Sequence, residues 1–399
     1  MKPQRRAWAV MLAAFLASIV VAINQFKVPP VMQALMAHFG ADMATAGWLA
    51  SATGVVGLVL AIPSAFILLR LGLRATGIVA LACTVVGSAI GGLAQSTGVM
   101  LAGRLIEGGG YALTAVAAPA AISAWFGPKE RGLPMGIWAS WVPVGNVIMF
   151  NLAYPLLNAF GWQGIWWFGA LAGAVALVLY GLMVSEPPAE AKPEPVSLGR
   201  AGRLLLNPTA WLLGLALATF GFSLLGYNTW APTYLTEALH IDAGPASSYA
   251  SLMFLAAIPA NVAAGWLLGR VRNRAAVLPL AFAATTPLYL WSFNLAAAGT
   301  VAPFMVALGF VSNFIPTVTY ALAPETMPGP QFAGLALAIL NAGTGPGPLI
   351  APPLIGAVVS GGHWPAGSLW LAAVMGLGTV AALAVWRRLG AAEPVRARA

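Results

Sequence analysis

Three charged residues lie inside stretches that are otherwise apolar: Lys27, Arg104 and Glu107. A lysine near the centre of a bilayer costs about 2.5–3.5 kcal/mol on insertion scales, so it usually faces a cavity, a partner or a ligand. The guanidinium of Arg104 is a planar fork that suits a carboxylate or another oxyanion. Glu107 lies one helical turn from Arg104, where it can take up a proton when the arginine pairs with a ligand. Because two bases and one acid leave one positive charge unmatched, we predict that Lys27 and Arg104 bind an anion and that Glu107 exchanges a proton.

The same three residues also allow less specific interpretations. In one alternative, the Lys27 side chain extends to the outer headgroups of a membrane, as long basic side chains near helix ends do. In another, Arg104 and Glu107 form an intrahelical ion pair that serves to offset the cost of burying both charges. The sequence leaves both alternatives open.

The composition identifies the environment of these charges. Of the 399 residues, 60% are hydrophobic and 7% are charged. A soluble domain carries about 25% charged residues, so this chain has too few of them to cover a water-facing surface. The sequence therefore indicates an integral membrane protein. Its one cysteine, Cys83, excludes an internal disulfide and a metal cluster built on cysteines.

The apolar residues form twelve stretches that are separated by short polar breaks. A helix of about 20 residues crosses the hydrocarbon of a bilayer, so each stretch is long enough to span it. The sequence thus predicts an all-α membrane protein. Numbered in chain order, the predicted spans cover residues 8–36, 45–69, 75–95, 98–126, 133–159, 164–184, 209–236, 246–269, 275–296, 301–324, 333–358 and 366–388.

The distribution of basic residues predicts how these spans are oriented. With the N-terminus in the cytoplasm, every Lys and Arg except Lys27 and Arg104 falls in a cytoplasmic segment. This positive-inside pattern accounts for the formal net charge of +9 without a nucleic-acid partner. We therefore expect a multi-pass protein of the cytoplasmic (inner) membrane with both termini in the cytoplasm.

The chain is predicted to consist of two similar halves. Residues 185–208 are rich in proline and in mixed charges, which is typical of a linker. We interpret this segment as a cytoplasmic connection between a six-helix bundle at residues 1–184 and another at residues 209–399. Basic loops recur after the second and the eighth span, at residues 70–74 and 270–274.

Proline and glycine interrupt the fifth and the eleventh span, which occupy matching positions in the two halves. Pro143 and Gly145 lie in span five, and Gly345, Pro346 and Pro348 lie in span eleven. Matching breaks of this kind are typical of transporters, in which they mark a mobile helix and a nearby binding site. Glycine and proline are also simply common in membrane helices, which is the other interpretation of the same residues.

The arrangement as a whole resembles the major facilitator superfamily, and the resemblance covers nearly the whole chain. It rests on six plus six spans, a long central loop and Arg-bearing loops after spans two and eight. Arg70, Gly72 and Arg74 resemble the family's loop signature of Arg-x-Gly-Arg, with Leu73 between Gly72 and Arg74 and with Leu69 in place of the signature's Asp. The resemblance implies two pseudo-symmetric six-helix bundles and assigns to the gating loops Arg70, Gly72, Arg74, Arg270 and Arg274.

Two further elements bear on the branch of the superfamily. Arg104, Gly108 and Gly110 resemble the Arg-x-x-x-Gly-x-Gly element of span four, which the family ties to proton coupling. The Gly-Pro-rich signature of drug:proton antiporters is absent from span five. Two short stretches resemble the cyanate and nitrate type anion permeases, namely Asn24-Gln-Phe-Lys27-Val-Pro29 in span one and Trp230-Ala-Pro232-Thr-Tyr234-Leu235 in span seven.

The superfamily resemblance also implies that spans one, four, seven and ten line a central cavity. Polar residues in these spans recur at intervals of three, four or seven, which places them on single helix faces. Such side chains often serve only as hydrogen-bonding contacts between helices, and this interpretation stays open for each of them. As substrate-binding residues we predict Lys27, Arg104, Asn24, Tyr111, Tyr227, Asn228, Trp230, Asn313 and Tyr320, with Trp138 and Trp141 as apolar walls.

We therefore predict a secondary active transporter that takes up a small organic or inorganic anion with protons by alternating access. We expect a monomer without cofactor or metal, and no enzyme, because the chain lacks a phosphate-binding loop and an acid–base–nucleophile cluster. The histidines fall in separate outer loops, which does not suit a metal site. One alternative is a proton-driven exporter of amphiphilic or drug-like compounds, and another is a non-transporting membrane sensor or scaffold.

Overall fold

The structure, a computed structural model, describes residues 3–60, 63–126, 130, 132–185, 204–328 and 332–396. Within these ranges the regular secondary structure is helical, and no β-strand occurs. Outside them lie most of the predicted linker and several of the predicted cytoplasmic bases, namely Lys2, Lys129, Arg131, Lys192, Arg200, Arg203 and Arg398.

The first half of the described chain contains seven helices, two of which turn sharply at an internal glycine. They are α1 (Pro3–Gln25), α2 (Met32–Phe39), α3 (Met43–Leu60), α4 (Pro63–Gly92), α5 (Thr97–Trp125), α6 (Gly132–Ala139) and α7 (Trp141–Met183).

The second half of the described chain contains eight helices. They are α8 (Pro208–Glu237), α9 (Ala243–Leu268), α10 (Arg274–Trp291), α11 (Val301–Ser312), α12 (Phe314–Leu322), α13 (Ala333–Thr344), α14 (Pro346–Val359) and α15 (Trp364–Arg396).

These helices account for the predicted spans. Among the described residues, ten stretches are long and apolar enough to cross a membrane. One of them, Leu133–Met183, is 51 residues long and is divided in two at Gly161. The helix α10, with 18 residues, covers most of predicted span nine. Each of the twelve predicted spans therefore has a helical counterpart, and the prediction of an all-α membrane protein is confirmed.

Two glycines turn the chain between consecutive spans without an intervening loop. Gly72 in α4 has φ 80° and ψ 174°, and Gly161 in α7 has φ 68° and ψ −178°. This combination of positive φ and extended ψ is open essentially to glycine alone, because a Cβ would collide with the backbone. Gly72 thus joins span two to span three, and Gly161 joins span five to span six.

Four predicted spans are interrupted within their length. The helical hydrogen bonding stops after Gln25 in span one, at Ser140 in span five, at Asn313 in span ten and at Gly345 in span eleven. Proline explains these breaks because it has no N–H to bond the carbonyl four residues earlier. Pro316, for example, leaves the Ser312 carbonyl without its helical donor. The prediction for spans five and eleven is confirmed, whereas the break in span ten was not expected.

Glycines on α5 allow neighbouring helices to approach its backbone closely. A Cβ added to Gly108 would lie 2.5 Å from the Thr53 carbonyl oxygen of α3, and one added to Gly110 would lie 2.6 Å from the Ala80 carbonyl oxygen of α4. Small residues at such crossings are a general feature of membrane helices. The Arg-x-x-x-Gly-x-Gly element therefore has a packing role in this fold.

The helices pack into two compact units. Unit 1 comprises residues 1–193 and 242–251, and unit 2 comprises residues 194–241 and 252–399. In unit 1, α5 packs against α1, α3 and α4, while α7 packs against α1 and α4. In unit 2, α8 packs against α13, α14 and α15, and α10 packs against α15. The division of the chain at the linker stays a prediction, because residues 186–203 lie outside the described ranges.

We expect Gly161→Ala to lower the melting temperature of the protein, because the backbone there would cost about 1–3 kcal/mol for any residue with a Cβ. Gly376→Ala is the matched control, since an added Cβ meets no atom within 4 Å and the backbone is ordinary helix. The measurement is thermal unfolding of each purified variant in detergent, followed by tryptophan fluorescence. Equal melting temperatures for the two variants would contradict the assignment of Gly161 as an obligatory turn.

Candidate functional site

The site begins at the break in span one. α1 ends at Gln25, and Pro29 has no N–H to bond the Gln25 carbonyl, so the last carbonyls of α1 need other donors. Arg104 of α5 supplies them: its Nη1 donates to the Asn24 carbonyl at 2.7 Å and its Nη2 to the Gln25 carbonyl at 3.0 Å. A cation is also favoured there because the C-terminal end of a helix carries partial negative charge.

Arg104 has two further partners inside unit 1. Its Nε donates to the Leu49 carbonyl of α3 at 3.1 Å, and its Nη1 pairs with Oε2 of Glu107 at 2.5 Å. The guanidinium thus joins three helices and is fully buried. The intrahelical pair expected from the spacing is present.

Lys27 lies at the break itself and points into the protein. Its Nζ donates to Oε1 of Glu107, to Ser88 Oγ at 2.8 Å and to Asn24 Oδ1 at 3.0 Å. It also lies 4.8 Å from the centroid of the Trp166 ring, whose π face attracts a cation. Lys27 has no exposed surface, so the alternative in which it extends to outer headgroups is wrong.

Lys27, Arg104 and Glu107 form what we call the buried charge cluster. One Glu107 carboxylate oxygen faces each base, and the exposed fractions of the three residues are 0%, 0% and 3%. With two bases and one acid, the cluster keeps a formal charge of +1. Burying charges is costly, and the hydroxyl, amide and carbonyl oxygens around the cluster are what make that charge tolerable.

Three residues that the sequence analysis missed shape this cluster. Ser88 of α4 bonds both Lys27 and the Trp166 carbonyl of α7, the latter at 2.7 Å. Gly169 leaves the necessary space, because a Cβ there would lie 2.8 Å from Ser88 Oγ. A serine, a tryptophan and a glycine in apolar stretches carry no distinctive spacing, so the pattern held no signal for them.

The predicted aromatic residues of unit 1 form a separate group. The ring of Tyr111 lies 5.3 Å from that of Trp141, and Trp141 stacks on Trp138 at 6.0 Å. The Trp138 indole donates to Ser18 Oγ at 3.0 Å. We call Tyr111, Trp138 and Trp141 the tryptophan cluster.

The predicted residues of span seven occupy the core of unit 2. Tyr227, Asn228 and Trp230 have no exposed surface. The Tyr227 hydroxyl approaches Met305 Sδ at 3.6 Å, and the Trp230 indole donates to the Pro352 carbonyl at 2.8 Å. The expectation that this helix face meets a water-filled cavity is therefore wrong for this packing, because the polar groups serve contacts between helices. Their substrate-binding role stays a prediction that requires them to leave the core.

The predicted residues of span ten differ from those of span seven in being accessible. Tyr320 is 44% exposed, and its hydroxyl donates to Asn341 Oδ1 at 2.9 Å. Asn313, at the break between α11 and α12, is half-buried and donates to the Gly309 carbonyl at 2.8 Å.

The predicted gating loops make local contacts at the surface of each unit. Arg74 donates to the Gly181 carbonyl at 2.6 Å, and Arg274 lies 3.9 Å from Glu325 with both side chains substantially exposed. The Arg270 guanidinium stacks 3.9 Å from the Trp266 ring. Exposed pairs of this kind contribute about 0–1 kcal/mol, so they are easily broken, as a gate would require. The gating role, including that of Arg70, stays a prediction.

Arg104→Lys tests how the cluster is held. We expect a clearly lower melting temperature, because a lysine cannot reach three carbonyls and a carboxylate at once, and leaving buried partners unpaired costs about 3–5 kcal/mol. Arg270→Lys, at an exposed site, is the matched control and should melt like the wild type. A wild-type melting temperature for Arg104→Lys, measured in detergent, would contradict the clamp that the structure describes.

Comparison with known proteins places this geometry in context. A sequence profile described as Major Facilitator Superfamily matches residues 11–329 and 234–399. The chain is 23% identical to a D-galactonate transporter of Escherichia coli, over 95% of each protein. It is also 23% identical to a probable sulfoacetate transporter of Cupriavidus necator, over 75% of each.

A solved structure shares the fold. It is a bacterial homologue of the human lysosomal transporter Spinster in an inward-facing and occupied conformation, with a TM-score of 0.80 and 18% identity. The match covers 98% of this chain and 97% of that one, and at this identity it speaks for the fold alone.

Proposed function

Because the chain belongs to the major facilitator superfamily, we propose that it takes up a small organic or inorganic anion together with protons. As a multi-pass member of that superfamily it is a secondary transporter and not an enzyme. The proposal places it as a monomer in the cytoplasmic membrane with both termini in the cytoplasm, in keeping with its basic segments.

The observation that carries the proposal is the uncompensated charge of the buried charge cluster. Lys27 and Arg104 share the single carboxylate of Glu107, and Asn24 contacts both bases through its side chain and its carbonyl. A carboxylate or oxyanion matches the guanidinium fork in the way that Glu107 does here. An anionic substrate is therefore a natural competitor for the position of the Glu107 carboxylate.

Charge conservation explains why a proton would accompany the anion. When Glu107 is ionised, the cluster carries +1; when Glu107 is protonated and a monovalent anion takes its place, the cluster again carries +1. Protonation of Glu107 without anion binding, or anion binding without protonation, would change the buried charge. The desolvation cost of one buried ion is on the order of several kcal/mol. Protonation and anion binding are therefore expected to occur together, in a state of the cycle in which the cluster is open to water.

The named substrates of two relatives support the choice of an anion. The names D-galactonate and sulfoacetate both denote small organic anions. Both molecules carry a carboxylate on a small carbon chain, and an arginine fork binds a carboxylate well.

Two replacements of Lys27 test whether the positive charge of this residue is needed to bind the anion. Lys27→Met keeps much of the side-chain volume and leaves Arg104 and Glu107 as a neutral pair, whereas Lys27→Arg preserves the charge. In proteoliposomes with an inward proton gradient and a panel of carboxylates, sulfonates and inorganic oxyanions, we expect Lys27→Met to reduce uptake at least about tenfold, equivalent to about 1.4 kcal/mol. We expect Lys27→Arg to retain a measurable part of it.

One result with these two variants would contradict the anion site. If Lys27→Met transports the same anion at the wild-type rate, the charge of the cluster has no part in recognition. Thermal unfolding of both variants is the control, because a variant that melts like the wild type and fails to transport has lost function and not its fold.

Glu107→Gln separates proton coupling from binding. We expect the variant to exchange substrate between the two sides of the membrane but to lose accumulation driven by the proton gradient, because glutamine cannot take up a proton. The pH dependence of uptake, which protonation of Glu107 would produce in the wild type, should flatten. An unchanged pH profile in this variant would reject the proton role of Glu107.

The tryptophan cluster favours a second candidate, a proton-driven exporter of amphiphilic compounds. The half-buried Tyr111 and Trp138, whose rings contact that of Trp141, offer aromatic surface to an apolar ligand. Export would appear as proton-driven accumulation of amphiphilic cations or neutral compounds in inverted vesicles, with Lys27→Met as active as the wild type.

A further inference from the structure

Helix α12 has two chemically distinct faces. Ile315, Val318 and Leu322 lie on one face and are fully buried in unit 2. Asn313, Thr317 and Tyr320, which are spaced by four and three residues, follow the other face. That second face is half-buried or exposed along its whole length, and each of its three residues is polar and uncharged.

Two amides from neighbouring helices complete this face. Thr317 Oγ1 donates to Asn261 Oδ1 of α9 at 3.0 Å, and the Tyr320 hydroxyl donates to Asn341 Oδ1 of α13 at 2.9 Å. Asn261 and Asn341 are both exposed. We call the five residues of this face the neutral polar cluster: Asn261, Asn313, Thr317, Tyr320 and Asn341.

An exposed amide on a membrane-spanning helix has to meet something polar. Elsewhere on the same helices and their continuations the exposed positions are apolar, as with Val262 at 72%, Phe310 at 38% and Ile350 at 46%. An amide turned toward hydrocarbon without a hydrogen bond costs about 4–8 kcal/mol on a cyclohexane scale. The neutral polar cluster therefore faces water or a ligand rather than lipid.

The hydrogen bonds within the cluster decide what it can offer to a ligand. Because a hydroxyl donates to Oδ1 of each asparagine, the Asn261 and Asn341 Nδ2 groups remain as donors, with no acceptor among the described residues. The oxygens of Thr317 and Tyr320 remain available as acceptors. The cluster thus offers both donors and acceptors on a surface that carries no formal charge.

We propose that the neutral polar cluster is a site on unit 2 that binds hydroxyl groups of the transported molecule, so that the substrate is a hydroxylated compound. A hydroxyl both donates and accepts, which matches paired Nδ2 donors and hydroxyl acceptors better than an apolar or a purely anionic group does. This inference rests on the proposed function for the anionic part of the substrate. It adds Asn261, Thr317 and Asn341 to the binding residues.

Binding measurements on the full-length protein in detergent test the inference with three probes. D-galactonate carries a carboxylate and hydroxyls, hexanoate has the carboxylate and the six-carbon chain without hydroxyls, and galactitol has hydroxyls without charge. We expect the wild type to bind D-galactonate at least about tenfold more tightly than hexanoate, because several hydrogen bonds of modest strength are gained. Galactitol should bind measurably.

Asn341→Leu and Asn261→Leu remove the donors while nearly preserving volume. Each should weaken D-galactonate and galactitol binding about five- to tenfold and leave hexanoate binding unchanged. Asn294→Leu is the matched control, since Asn294 is an exposed amide that bonds the Leu290 carbonyl of its own helix region. It should bind all three probes like the wild type.

The outcomes distinguish this inference from the proposed function. If the wild type binds D-galactonate and hexanoate equally, or if galactitol does not bind, the hydroxyl site is overturned whatever becomes of the anion site. If Lys27→Met binds D-galactonate normally while Asn341→Leu loses the hydroxyl preference, the anion site fails and the hydroxyl site stands. In Lys27→Met, loss of hexanoate binding together with a fall of D-galactonate binding to the level of galactitol, whose own binding is unchanged, supports both.

Discussion

The carboxylate of Glu107 holds the charged centre of unit 1 together. Its two oxygens face the two buried bases, and without it Lys27 and Arg104 would repel each other in a medium of low dielectric constant. The same interaction is tied to the fold, because Arg104 also satisfies the carbonyls that Pro29 leaves free at the end of α1. Glu107 is therefore linked through Arg104 to the break in a membrane-spanning helix.

The two units share a pattern of loops but differ in the chemistry of their cores. Arg70 and Arg74 precede Arg270 and Arg274 by 200 residues in each case. The same offset carries Lys27 to Tyr227, whose ring lies 6.3 Å from that of Phe304, the counterpart of Arg104. The residue pair that carries charges in unit 1 is thus replaced by a pair of aromatic rings in unit 2. The cores of the two units therefore differ in charge at these equivalent positions.

The buried charge cluster was predictable because charged residues in apolar stretches are conspicuous by type and are costly to bury. The residues that support the cluster were not predictable, because Ser88 and Trp166 are of types that are common in membrane helices. The polar face of span seven was misjudged for a related reason. A stripe of Tyr and Trp at helical spacing looks the same whether it lines a cavity or packs against another helix, and here the Trp230 indole bonds the Pro352 carbonyl inside unit 2.

The sequence by itself determined the membrane environment, the number of spans, the recurrence of the basic loops and the identity of the three intramembrane charges, because hydropathy, charge and proline act locally along the chain. The tertiary structure alone decided that Lys27 turns inward, that Arg104 caps the end of α1, and that Asn261 and Asn341 join the face of α12. These contacts join residues far apart in the chain, and their geometry depends on how whole helices pack, which no local pattern specifies.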